Sequence, residues 1–130
     1  MEAPAFTSLE LSGDATPSLI PTFRRRATDF ATANGAAAEL VEAVALAVTE
    51  AVTNVVKHAY EPGATDCSIR LTGSVTDDLM EITVSDRGLG FRESTCPGLG
   101  VGLSIIADMS AELDIDQGAG GTELRMRFVL

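Results

Sequence analysis

Cysteine, histidine and positive charge are all scarce in this chain: two cysteines, one histidine, and nine lysines and arginines against nineteen aspartates and glutamates. Cys67 and Cys96 show neither C-x-x-C nor histidine-rich spacing, so two reduced thiols are expected rather than a disulfide framework or a zinc site. A single histidine, His58, cannot build a multi-histidine metal site and leaves no separate histidine to accept a phosphoryl group. No basic run exceeds Arg24-Arg25-Arg26, and the formal net charge is −10. Such a field repels nucleic-acid phosphates and anionic membranes, so neither is an expected partner. It does not exclude a nucleotide, because Mg2+ and backbone amides hold phosphates without a basic surface. No apolar stretch approaches ~18 residues, and MEAPAFTSLE has no basic segment followed by an apolar one, which argues against a membrane span or secretory signal. The expectation is a single soluble, cytoplasmic domain over residues 1–130, with 45% hydrophobic residues available for a core.

What is present falls into distinct periods. Residues 5–11, AFTSLEL, alternate and end at Ser12-Gly13-Asp14, which predicts a strand and a turn. Between Pro17 and Ala33, Leu19, Ile20, Phe23, Ala27, Phe30 and Ala31 recur at helical spacing, so an amphipathic helix should close near Asn34-Gly35. A second helix, rich in Ala, Leu, Val and Glu, is predicted from Ala36 to Ala59, broken after Tyr60 by Glu61-Pro62-Gly63. Residues 66–72 and 79–85 predict an antiparallel hairpin around a turn from Gly73 to Asp78. Beyond a glycine-rich stretch, residues 103–112 resume a helical pattern, and 113–116 with 122–129 predict a final hairpin. This order lacks regular βαβ alternation, so the expected fold is α+β: a two-layer sandwich with helices on one face of a mixed, largely antiparallel sheet.

Three segments carry candidate chemistry. With Glu50 at zero on a helical wheel of about 100° per residue, Asn54 falls near +40°, Lys57 near −20° and His58 near +80°. On the same wheel Val41, Val48, Val52 and Val55 cluster at roughly 140–200°, so Glu50 and Asn54 are expected to share a face opposite the core stripe. That face is either a solvated i,i+4 pair or a site in which the carboxylate activates a hydroxyl while the amide oxygen ligates Mg2+. The second segment, Asp86-Arg87-Gly88-Leu89-Gly90-Phe91, follows a predicted strand. Its glycines let the backbone turn away and approach a ligand, and Asp86 offers an acceptor suited to a base with an exocyclic amino group; the plain alternative is a polar turn. Third, Gly98-Leu99-Gly100-Val101-Gly102-Leu103 runs straight into the predicted helix. It leaves backbone N–H groups free at the helix's positive end, as phosphate binding requires, or forms a flexible loop with a helix cap. The spacing is neither G-x-G-x-x-G nor a Walker A ending.

Glu50-x-x-x-Asn54, Asp86-x-Gly88-x-Gly90 and Gly98-x-Gly100-x-Gly102, in this order, resemble the GHKL ATP-binding superfamily, whose domains adopt the Bergerat-type fold. The run TEAVTNVVKHAYEPG and the strand and helix ahead of it are most similar to the anti-sigma-factor serine/threonine kinases of bacteria, and Gly121-Thr122-Glu123 matches the last motif. The resemblance covers residues from about 5 to 129 and implies ATP and Mg2+ as cofactors. Carried over, it makes Glu50 the general base and Asn54 the Mg2+ ligand. Asp86 would accept from the adenine amino group, with Gly88 and Gly90 making room, and Thr122 would bond near the adenine or its water. Gly98, Gly100, Val101, Gly102 and Leu103 would lead the phosphates to the helix N-terminus. Lys57 is a candidate phosphate or ribose contact, and His58 reads as a structural residue.

The implied function is ATP-dependent phosphorylation of an anti-sigma-factor antagonist protein on serine or threonine, with sequestration of a sigma factor and pairing of two chains as a homodimer. Arg24-Arg25-Arg26 would be the docking patch for an acidic partner. The departure from the family pattern is the segment between Phe91 and Gly98, six residues where relatives carry a longer lid. A short lid shields the γ-phosphate poorly, although Arg87 or Arg92 could supply charge there. It therefore points to an alternative: a non-catalytic nucleotide-binding regulatory module that grips a protein partner. A histidine-kinase ATPase domain is disfavoured, since the only histidine lies within the proposed ATP helix.

Overall fold

The computed structural model describes residues 8–60, 67–88, 112–118 and 120–130; at 58, 59, 117 and 118 it describes the backbone alone. Strand β1 (Ser8–Asp14) leads into helix α1 (Leu19–Ala33) and helix α2 (Ala38–Asn54), which continues as a single π turn over Val55–Ala59. Strands β2 (Ser68–Thr76), β3 (Leu79–Asp86), β4 (Glu112–Gly118) and β5 (Gly121–Val129) complete the described elements. The strands form one sheet in the order β1-β2-β3-β5-β4, with every described pairing antiparallel. The expected α+β sandwich is therefore present, and all its strand pairs fall in the antiparallel class.

Alternation of side chains along each strand sorts the sheet into two faces. Ile69 and Leu71 on β2, Met80, Ile82 and Val84 on β3, and Leu124, Met126 and Phe128 on β5 all point to one side and are buried. Phe23, Ala27, Phe30 and Ala31 of α1 and Val44, Val48 and Val52 of α2 close over them. Each large apolar side chain so enclosed contributes about 1.5–3 kcal/mol. The opposite face is polar: Arg127 bonds Glu81 on one side and Glu112 and Asp114 on the other, tying edge strand β4 across β5 to β3. No described helix is long and apolar enough to cross a membrane.

Several boundaries differ from expectation, four of them for a clear local reason. Gly13 and Asp14 continue β1, paired with Ile69 and Ser68, instead of forming a turn. Gly73 to Thr76 continue β2, and the hairpin turns only at Asp77-Asp78, with Asp77 at φ 57° in a region aspartate tolerates. Gly73 is a strand glycine because α1 presses on it: a Cβ there would lie 2.9 Å from Phe30 Cε2. Helix α2 starts at Ala38, since the chain must first leave α1 through a left-handed Gly35 (φ 86°), with Ala36 N–H bonded to Ala31 C=O and Gly35 N–H to Thr32 C=O. Glu112, expected at the end of a helix, opens β4; the remainder of that predicted helix lies outside the described residues.

Candidate functional site

Asp86 ends β3 with the same parity as Met80, Ile82 and Val84, so its carboxylate is carried to the helix-facing side at the mouth of the sheet. There the chain turns, and the Gly88 N–H donates to Asp86 Oδ1 at 2.7 Å. The Thr122 N–H, on the facing strand, donates to the same carboxylate. Burial pushes the Asp86 carboxyl above its ordinary value, and these two N–H groups pull in the opposite direction without cancelling it. Gly121, at φ 135°, makes the close packing possible, since it brings bare backbone against the Asp86 carbonyl.

Thr122 shares the inward face of β5 with Leu124 and is 4% exposed. Its Oγ1 is buried with no hydrogen-bond partner among the described residues. On α2, Asn54 is 6% exposed and its Nδ2 is likewise buried without a partner among the described residues. This corrects the expected position of Asn54 opposite the core stripe. Ala47 and Ala51 are buried as well, at about 60° and 100° on the same wheel, so the buried arc widens until it includes Asn54 near 40°. The buried alanines carry that side of the helix inward, and the amide goes in with them. Glu50, one turn earlier, is half-buried at the margin of this arc.

The end of α2 reaches the Asp86 corner. After the π turn, the Tyr60 hydroxyl accepts the Arg87 N–H at 2.9 Å and donates to the Ser68 carbonyl. Burial raises the Tyr60 phenol, so the hydroxyl keeps its proton at neutral pH. Asn54 is the last residue of α2, six residues ahead of Tyr60 and directly before the π turn. Two shallow clefts flank Asp86, one of about 400 Å3 bounded by Ser68, Arg70 and Arg87, the other of about 290 Å3 bounded by Gly121 and Glu123.

Of the residues expected at the site, the structure brings Asp86, Gly88 and Thr122 into one hydrogen-bonded group and sets Glu50 and Asn54 on successive turns of α2. Lys57 is exposed on the π turn. Gly90, Gly98, Gly100, Val101, Gly102 and Leu103 lie outside the described residues, as do Arg92 and the side chain of His58. Arg24, Arg25 and Arg26 are exposed, and Arg26 lines a third cleft beside Glu10 and Asp29, at the Ser8 end of β1 and away from Asp86. Sequence reasoning passed over Tyr60, which it read only as the residue before a helix break. The available signal was that it is the sole tyrosine in the chain.

The profile of the histidine kinase-like ATPase domain matches residues 13–128. The serine-protein kinase RsbW of Staphylococcus epidermidis is 31% identical over 111 residues, covering 73% of this chain and 70% of that protein. RsbW of Bacillus mycoides is 26% identical over 140 residues, covering 95% and 86% respectively. Among solved structures, the RsbU and RsbW domains of Rv1364c from Mycobacterium tuberculosis superpose with a TM-score of 0.77 at 27% identity, over 95% of this chain and 32% of that one. The chain thus spans about a third of that longer polypeptide.

Proposed function

The chain belongs to the histidine kinase-like ATPase domain family, and on that premise we propose that it is an ATP-dependent protein serine/threonine kinase which phosphorylates an anti-sigma-factor antagonist and sequesters a sigma factor. The observation that carries this reading is a pair of buried polar groups with no partner among the described residues, Asn54 Nδ2 at the end of α2 and Thr122 Oγ1, whose own N–H bonds the half-buried Asp86 carboxylate. A buried polar atom left unbonded costs about 1–3 kcal/mol, which a ligand entering between α2 and the sheet would recover. The donor set fits adenine and Mg2+: a carboxylate for an exocyclic amino group, a hydroxyl for the ring or its water, and an amide for a hard cation.

Bound Mg·ATP would supply the transferable phosphoryl group and the charge that neutralises it. In this reading Asp86 holds the base, with Gly88 and Gly90 leaving room for it, and Thr122 hydrogen-bonds beside it. Asn54 would hold the metal through its amide oxygen. Glu50, half-buried one turn away, takes the proton of the attacking serine or threonine hydroxyl. Gly98, Gly100, Val101, Gly102 and Leu103 present backbone amides to the phosphates, and Lys57 reaches them or the ribose from the surface. A homodimer working in the cytoplasm, with Arg24, Arg25 and Arg26 meeting an acidic partner, completes the proposal.

The six residues from Arg92 to Pro97 favour a second reading, a regulatory module that binds nucleotide and partner without transfer. Titration calorimetry with ATP and ADP, with and without Mg2+, followed by radiolabelled transfer to a candidate antagonist, separates the two. Mg2+-dependent binding lost in Asn54→Ala, with transfer lost in Glu50→Ala while binding persists, is the expected result. Binding without transfer in the unmodified protein leaves the regulatory module. No binding at millimolar nucleotide overturns both.

A further inference from the structure

We propose that Tyr60 is a positioning residue for Asp86, its hydroxyl standing in the last rung of the β2–β3 ladder and setting where the carboxylate lies. This inference rests on the reading of Asp86 as the group that holds the nucleotide base.

The register places it there. The two-residue connection at Asp77-Asp78 makes Thr76 and Leu79 a hydrogen-bonded pair, and in an antiparallel ladder such pairs alternate with non-bonded ones. Counting down the ladder, Ile69 and Asp86 form a non-bonded pair, and the next rung, Ser68 with Arg87, is a bonded one in which the Arg87 N–H would donate to the Ser68 carbonyl. Those two groups are the ones Tyr60 joins: its hydroxyl accepts the Arg87 N–H and donates to the Ser68 carbonyl. A direct bond would hold the nitrogen and oxygen about 2.9 Å apart, whereas a bridging hydroxyl spaces them at roughly 4.5–5 Å.

The pairings of β3 with β2 and with β5 both run down to Asp86, opposite Ile69 on one side and Thr122 on the other. Asp86 is therefore the last residue of β3 in register with both neighbours, and one residue later the Tyr60 hydroxyl stands where Arg87 would bond Ser68 directly. Because Tyr60 directly follows the π turn that continues α2, its hydroxyl ties the segment leaving the helix that carries Glu50 and Asn54 to the strand end that carries Asp86. Removing the hydroxyl would let the rung close directly or fill with water, and in either case Asp86 shifts relative to α2.

A brace that only held the fold would lower stability without changing which base is bound. The test is therefore selectivity. Mg·ATP and Mg·GTP are titrated into the unmodified protein and Tyr60→Phe, with thermal melts confirming that both are folded. The unmodified protein should prefer ATP, and Tyr60→Phe should reduce that preference by about tenfold through weaker ATP binding, the order of one net hydrogen bond. In the Asp86→Asn background the same change should remove no further selectivity, since Tyr60 acts through Asp86. An unchanged ATP-to-GTP ratio in folded Tyr60→Phe overturns the inference. An unmodified protein with no ATP preference overturns the reading of Asp86 and the inference with it.

A third arm does not depend on the variant folding. The chain has one tyrosine, so 3-fluorotyrosine incorporation labels Tyr60 alone. Its fluorine resonance should move on saturation with Mg·ATP, and a stationary resonance at saturation overturns the proposed coupling.

Discussion

Gly121 lies so close to Asp86 that a Cβ on it would stand 1.8 Å from the Asp86 carbonyl oxygen. Its φ of 135° is also one that side-chain-bearing residues rarely adopt. Steric overlap and backbone strain act together here, so Gly121→Ala is expected to cost roughly 3 kcal/mol or more and to disturb the Asp86 corner. Denaturant unfolding reads the stability loss; a midpoint within experimental error of the unmodified protein's would contradict the packing described.

Gly73 and Phe30 form the second tight contact, between β2 and α1. A Cβ at Gly73 meets the ring of Phe30 rather than backbone, so Gly73→Ala should cost about 1–3 kcal/mol, less than the change at Gly121. Phe30→Leu in the same chain should relieve the clash, with a coupling of at least about 0.5 kcal/mol in a double-mutant cycle. Strict additivity of the two changes would show that they do not touch.

Thr122→Val replaces a buried, unpartnered hydroxyl with a methyl group of similar shape. In the nucleotide-free protein this should stabilise the fold by about 1 kcal/mol, because an unsatisfied polar atom is removed. Nucleotide binding should weaken by about tenfold if the hydroxyl serves the ligand. Destabilisation with unchanged binding would assign Thr122 to the core instead.

Asp86 titrates above its ordinary value of 3.8, which fixes the sign of its pH effect. Between the unfolded and the raised folded value, the folded state holds the extra proton, so stability falls as pH rises through that window. Asp86→Asn should remove this acidic-range dependence and leave stability at neutral pH equal or higher. Adenine-nucleotide affinity should drop about 10- to 100-fold, the cost of losing a charged hydrogen-bond acceptor. Melting curves and calorimetry across the acidic range, compared between the two proteins, check both signs.

Much of the fold was legible because it depends on periodicity. The alternation along β3 and β5 and the helical recurrence of Phe23, Ala27, Phe30 and Ala31 state which side of each element is apolar, and burying those sides together leaves a two-layer sandwich. Gly35 likewise announced the end of α1, since a left-handed position there suits glycine. The hairpin turn was misplaced because Gly73 looks like a turn residue in isolation; its reason for being glycine is Phe30, far away in sequence.

At the site, the order of the motifs along the chain, from Glu50 and Asn54 through Asp86 to Thr122, was visible in the residues themselves, and their chemistry follows from residue type. Whether Asn54 faces water or protein was not, because that depends on how much of α2 around Ala47 and Ala51 the packed elements enclose. Nor could the sequence join Tyr60 to Ser68 and Arg87, since a hydrogen bond between distant segments carries no local period. Sequence by itself determined which faces are apolar and which residue types stand at each strand end, both being local properties. Tertiary structure alone decided which polar atoms are buried without partners and which ring stands in the last rung, because burial and bridging arise only when separate elements are packed together.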